Sequence, residues 1–120
     1  MGAKVGCPDR QVVAVCGDGA FQMSMMELAT MKQHGIDVKI VVLRNNVLGM
    51  VKQYQHFTYK DNFSMIDLTG SPNLEKIAEA YEMPFIRLKN MDGVDAAIEQ
   101  LLGTKGSVLM ECMVDPADLV

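Results

Sequence analysis

Four short apolar runs alternate with segments of helical spacing, and this alternation leaves few folds open to the chain. The runs are Val-Val-Ala-Val-Cys at 12–16, Val-Lys-Ile-Val-Val-Leu at 38–43, Pro-Phe-Ile-Arg-Leu at 84–88 and Val-Leu-Met-Glu-Cys-Met-Val at 108–114. Shortness and β-branched content predict strands, and near-continuous apolarity predicts a sheet covered on both faces. Between them, 21–34 reads as one helix with Phe21, Met25 and Leu28 at helical spacing and Gly35 as its stop. Asn73 caps a second helix carrying Leu74, Ile77, Ala78 and Tyr81 on one face, with Pro84 beyond its end. Asp92 or Gly93 opens a third, carrying Val94, Ala97, Ile98, Leu101 and Leu102 and closed by Gly103. The stretch 48–59 holds a further short helix, and 58–72 reads as a long loop. The fold class is therefore α/β: a parallel sheet of about four strands with right-handed crossovers and helices on both faces.

A chain of 120 residues, 49% of them apolar, is one domain at most and can close one core without staples. Net charge is −4 with no basic block, which leaves no electrostatic footprint for nucleic acid or an anionic membrane. Any anionic ligand must then be held by local devices. Cys7, Cys16 and Cys112 are odd in number and too widely spaced for a disulfide framework or a zinc site. Cys16 and Cys112 lie inside apolar runs and read as buried free thiols, which points to a reducing, cytoplasmic setting. The first six residues lack the apolar stretch of a secretion signal, and no window approaches the ~18 apolar residues of a membrane span.

In parallel sheets, ligands collect beyond the carboxyl ends of the strands. The two most polar strand ends are Gly17-Asp18-Gly19 and Arg44-Asn45-Asn46, and they follow consecutive strands. Glycines at a strand-to-helix turn permit close backbone approach and positive φ. The helix that follows offers unpaired amides and a partly positive end, which suits a diphosphate. Asp18 would repel a bare diphosphate, and a divalent cation between the two resolves the conflict. Magnesium combines one or two carboxylates with phosphate oxygens and water, and the side-chain oxygen of Asn45 has the matching hardness.

Other phosphate devices fail on single residues. A dinucleotide fingerprint needs a third glycine where Gln22 stands, and Arg44 occupies the end of the second strand where an acidic ribose partner would be sought. Lys105-Gly106-Ser107 has the wrong order for a phosphate-binding lysine loop.

Gly17-Asp18-Gly19, followed after residues 20–44 by Asn45-Asn46, resembles the signature of thiamine diphosphate-dependent enzymes. The wider wording is similar to the catalytic (large) subunit of acetolactate synthases. It runs Val-Val-Ala-Val-Cys-Gly-Asp-Gly-Ala-Phe-Gln-Met at 12–23, Glu-Leu-Ala-Thr at 27–30 and Leu-Gly-Met-Val at 48–51. Gly-Ser-Val-Leu-Met-Glu-Cys at 106–112 is similar to that family's final strand. The resemblance covers essentially the whole chain and implies that 1–120 is part of a thiamine diphosphate-binding domain, with no second domain.

The resemblance also implies a site. Asp18, Asn45 and the backbone carbonyl of Val47 would be magnesium ligands. Gly17, Asp18, Gly19, Ala20, Asn45, Gly49 and Met50 would line the cofactor, with Gly19 and Ala20 offering amides to the diphosphate. The implied activity is decarboxylation of pyruvate and transfer of the two-carbon unit to a second 2-keto acid, in branched-chain amino acid biosynthesis. No catalytic residue is implied in this chain: the activating glutamate belongs to another domain of a second subunit. The remaining domains of the enzyme and that subunit would be its partners, and FAD would bind the full enzyme elsewhere. The chain alone is expected to be inactive.

Two positions depart from the family pattern. Arg44 replaces the first member of the family's asparagine pair, so the visible Asn45-Asn46 is shifted by one; Arg44 is expected along the crevice wall or toward solvent. Tyr54 stands where the family has a tryptophan that helps select the second keto acid, which makes it a specificity candidate. Elsewhere, Glu27 reads as a solvated or helix-pairing residue. His34 and His56 read as surface residues without carboxylate partners. Met23, Met25, Met26 and Met31 read as core filler, and Asp115 and Asp118 as a solvated tail. A second class stays open beside the cofactor module: a non-catalytic α/β scaffold or subunit-contact module with a vestigial motif.

Overall fold

The computed structural model describes residues 1–117. A short helix α1 (Gly2–Gly6) leads to β1 (Val13–Gly17), α2 (Asp18–Ser24), α3 (Glu27–His34) and β2 (Lys39–Arg44). Then follow α4 (Gly49–Tyr59), α5 (Leu74–Ala80), β3 (Phe85–Leu88), a 3₁₀ turn Met91–Gly93, α6 (Val94–Gly103) and β4 (Val108–Met113). The strands form one sheet in the order β1-β2-β4-β3, with every pairing parallel. The fold is thus the four-stranded parallel α/β arrangement that the alternating runs predict.

Helices cover both faces, each through its own cluster. On one face Phe21 of α2, Leu28 and Met31 of α3, and Leu74 and Ala78 of α5 pack on Ile40, Val42 and Leu109. On the other, Ala97 and Leu101 of α6 meet Val41, Ile86, Val108 and Met110. Val42, Val108 and Leu109 have no exposed surface, which places the densest packing on the two central strands. At the start of β2 the buried Lys39 ammonium donates to the carbonyls of Thr104 and Gly106, tying that strand to the turn before β4.

Three expectations are corrected. Among the described residues β1 is not covered on both faces: it lies at the sheet's edge, and Val13 and Val15 are 43% and 63% exposed. The physical reason is reach, since α6 packs over β3 and β4 at the far side of the sheet. The helix expected over 21–34 starts earlier, at Asp18, and is broken in two around Met25 and Met26. There the Ser24 hydroxyl donates back to the carbonyl of Ala20, and Leu28 and Ala29 bond to carbonyls three residues back instead of four. Such back-bonding competes with the helical ladder and bends it. The break leaves Met23 and Met26 exposed, so of the four methionines only Met31 is fully buried.

The caps follow the sequence more closely. The Asn73 side chain accepts from the amides of Glu75 and Lys76, and Gly35 ends α3 in the left-handed region at φ 61°. The third helix is preceded by the 3₁₀ turn, with Asn90 rather than Asp92 or Gly93 accepting from the first free amide.

Candidate functional site

Parallel pairing places the carboxyl ends of β1 and β2 side by side, with Gly17 opposite Leu43. The residues just beyond them share a cleft of about 440 Å³. Gly17, Asp18, Gly19, Ala20, Asn45, Val47, Gly49 and Met50, all singled out in the sequence, line it. Leu43, Leu48, Val51 and Val114 complete the wall and give it an apolar character that the motif does not reveal. Tyr54 is not among the lining residues. It is 59% exposed on α4, edge-to-face against Tyr59 at 5.9 Å between ring centres.

Asp18 is the most constrained group in the cleft. Its residue is 4% exposed, one carboxylate oxygen accepts from the Gly19 amide at 2.9 Å, and the other accepts from the Asn46 amide at 2.8 Å. Among the described residues it forms no ion pair. A buried carboxylate held only by amides retains free lone pairs and an uncompensated charge, which suits a cation. Beside it, the side-chain oxygen of Asn45 accepts from the Val47 amide at 3.1 Å.

The loop at 58–72 is less free than its composition suggests. It returns to the site through an antiparallel bridge between Val47 and Asp67, with Leu48 donating to Ile66 and Leu68 to Asn46, both at 2.8 Å. The Thr69 amide and hydroxyl bond the Asp67 carboxylate, fix the corner and hold its pKa below the usual carboxylate value.

The glycines act differently from the expectation of positive φ. Gly17 is extended at φ −75°, and a Cβ there would meet nothing within 4 Å, so its bare Cα leaves the cleft open. Gly19 is the crowded one. A Cβ there would lie 2.9 Å from Leu48 Cδ2 and 3.3 Å from Leu68 Cδ1. Close approach of Leu48, ahead of α4, and of Leu68 in the returning loop, rather than backbone strain, requires glycine at that turn.

Arg44 points neither along the crevice nor to solvent. Its Nη1 donates to Glu111 at 2.8 Å and its Nε to the side-chain oxygen of Asn46 at 2.8 Å. Glu111, 2% exposed on β4, also accepts from Arg87 Nε at 2.6 Å, and Arg87 reaches Glu75 at 3.3 Å. Burial pushes the Glu111 carboxyl up, but bonds and charges from Arg87 and Arg44 outweigh it and hold it below the usual value. Sequence reading passed over Glu111 and Arg87. The available signal was a charge of each sign inside two otherwise apolar strands, brought face to face by register.

The remaining candidates fall outside the cleft's lining. Glu27 and His34 are exposed, as read. His56 does have a carboxylate partner, since Nδ1 lies 2.6 Å from Asp61 after the chain turns through left-handed Lys60 and Asp61. Cys112 is buried, Cys16 is half-buried and Cys7 exposed; all three thiols are free, and burial raises the pKa of the first two. Asp115 is exposed, while Asp118 lies outside the described residues.

Comparison with known proteins gives the decisive observation. The family described as thiamine pyrophosphate enzyme, C-terminal TPP binding domain, matches residues 1–112. The chain belongs to that family. Thiamine pyrophosphate is the thiamine diphosphate of the sequence reading, so both strand-end turns of the cleft fall within the matched domain. The chain is 36% identical over 115 residues to an acetolactate synthase large subunit of Porphyra purpurea, covering 95% of this chain and 20% of the relative. It is 34% identical over 120 residues to the acetolactate synthase isozyme 2 large subunit of Escherichia coli, covering 100% and 22%. It is 40% identical over 121 residues to the chloroplastic acetolactate synthase 2 of Nicotiana tabacum, covering 95% and 18%. This thiamine pyrophosphate-binding domain therefore spans about a fifth of the length of the relatives it matches.

Proposed function

We propose that the chain is the cofactor-anchoring portion of an acetolactate synthase-like enzyme, holding the diphosphate of thiamine diphosphate through magnesium. The observation that carries this reading is Asp18: a buried carboxylate without an ion-pair partner among the described residues, in one cleft with Asn45 and Val47. Asp18 and Asn45 would give the metal two side-chain oxygens and Val47 a backbone carbonyl, with diphosphate oxygens and water filling the rest of the shell. Gly19 and Ala20 would present the turn to the diphosphate, and Gly49 and Met50 would flank the cofactor from the start of α4. When bound, the cofactor supplies the electron sink for decarboxylation of a 2-keto acid.

The chain's own contribution is to hold the anionic end and to keep water from it with Leu43, Leu48, Val51 and Val114. A two-carbon transfer from pyruvate to a second 2-keto acid, within branched-chain amino acid biosynthesis, is the activity this reading assigns to the whole enzyme. The activating glutamate then comes from a second subunit, and the exposed ring of Tyr54 is the residue of this chain nearest a role in keto-acid choice. Three free thiols fit a reducing, cytoplasmic setting. No helix among the described residues is long and apolar enough to cross a membrane.

Calorimetric titration of the chain with thiamine diphosphate, with and without magnesium, tests the assignment. Heat is expected only when both are present, and Asp18→Ala should abolish the metal dependence. Binding that Asp18→Ala leaves unchanged, or turnover of pyruvate by the purified chain, refutes it. Absence of any heat favours a scaffold with a vestigial motif.

A further inference from the structure

The turn that would hold the metal is itself held from inside the sheet. Asn46 has φ 57°, a left-handed conformation that costs a non-glycine residue energy, though asparagine less than most. Three bonds keep it there. Its amide donates to Asp18 at 2.8 Å, its carbonyl accepts from Leu68 at 2.8 Å, and its side-chain oxygen accepts from Arg44 Nε at 2.8 Å. The first runs to Asp18 in the cleft and the second to the returning loop at 58–72. The third runs to a side chain that is 15% exposed and is locked by Glu111, which is 2% exposed at the sheet's centre.

We propose that Arg44, fixed by Glu111, is a positioning residue that sets the 45–47 turn for metal–diphosphate binding. Asn45 and Val47 flank Asn46, so the backbone angles of Asn46 decide where the Asn45 side-chain oxygen and the Val47 carbonyl point. The same residue fixes one oxygen of Asp18 through its amide. A polar chain Glu111–Arg44–Asn46–Asp18 thus connects the buried centre of the sheet to the buried carboxylate. The planar guanidinium serves its two acceptors through separate nitrogens in a fixed geometry, Glu111 through Nη1 and Asn46 through Nε. Lysine would keep the charge and lose the fork. The inference rests on the reading of the cleft as a metal–diphosphate site, and it explains why arginine can occupy a position where the resembled family has asparagine.

The test uses Arg44→Lys in the 120-residue chain and reads two quantities. One is amide exchange at Asn46, measured by NMR without metal or cofactor, with Val42 in β2 as the internal control. Arg44→Lys should speed exchange at Asn46 about ten-fold and leave Val42 unchanged, the scale of one lost bond to a charged group. The other is apparent magnesium affinity in the presence of thiamine diphosphate, which should fall about ten-fold. Asn46→Gly, which keeps left-handed backbone accessible and the Arg44–Glu111 pair intact, should weaken magnesium to a similar degree. Adding Arg44→Lys to it should then cost nothing more. Wild-type exchange at Asn46 in Arg44→Lys, full magnesium affinity in Asn46→Gly, or additive losses in the double variant would each overturn the proposal. If the wild-type chain takes up no cofactor, the reading of the cleft falls, and exchange at Asn46 alone decides whether Arg44 positions the turn.

Discussion

Replacing Glu111 by glutamine perturbs the molecule at its most concentrated electrostatic point. The substitution keeps the side chain's size, removes the charge, and turns one acceptor into a donor facing a guanidinium. Removing one partner of a buried ion pair costs about 3–5 kcal/mol, because the other charge stays behind unpaired. Arg44 is left in that condition, with its side chain 15% exposed. Arg87 is 34% exposed, so water screens much of its loss, and Glu111→Gln should cost about 2–3 kcal/mol. For a chain of this length, 1 kcal/mol corresponds to about 4 °C, which gives a fall in Tm of about 8–12 °C.

Far-UV circular dichroism during heating at pH 7 measures the fall. The acid limb gives an independent check on sign. Because the native carboxyl titrates below its ordinary value of 4.5, its stabilisation is complete above that pH and fades as pH drops through the lower native pKa. The gap between wild type and Glu111→Gln should therefore close on acidification. A fall of less than about 3 °C at pH 7, or a gap that stays constant down to about pH 2, would refute the assignment of net stability to this cluster.

Two further outcomes follow from the packing. Gly19→Ala should cost about 1 kcal/mol in urea unfolding as Leu48 and Leu68 give way, while Gly17→Ala, with open space around it, should stay within about 0.5 kcal/mol. Equal costs at the two positions would refute the close-approach account. Asn73→Ala removes acceptor bonds to two amides at the start of α5 and should lower Tm by about 4 °C, measured by calorimetry; an unchanged Tm would show those amides to be satisfied by water instead.

Strands and caps were legible because their signals are local: Val-rich runs, Asn73 ahead of an apolar face, and Gly35 behind one. The co-location of Asp18 with Asn45 was legible for a related reason, since parallel strands of one sheet end on the same side, while Val47 was implied only by the family resemblance. What escaped depends on groups distant in sequence or on competition between bonds. The break at Met25 turns on one serine hydroxyl choosing the carbonyl of Ala20. The partnership of Arg44 with Glu111 exists only because β2 and β4 are neighbours, a pairing that neither segment announces. The bare face of β1 was misread because an apolar strand at an edge has the same wording as one in the middle. His56 met Asp61 only through two left-handed residues that composition does not signal.

The strand order carries a consequence for how the molecule comes into being. β2 pairs with β1, whose sequence lies close by, but its other neighbour is β4, the last strand among the described residues, with Lys39 opposite Val108. Pairings between such distant segments form slowly, because the intervening chain must be closed into a loop before any contact rewards it. During synthesis, β2 and β3 each therefore wait with an open flank until residues 108–113 emerge and fill the gap between them. The last strand is the keystone, and with it arrive Leu109 for one core, Met110 for the other, and the carboxylate that draws Arg44 inward.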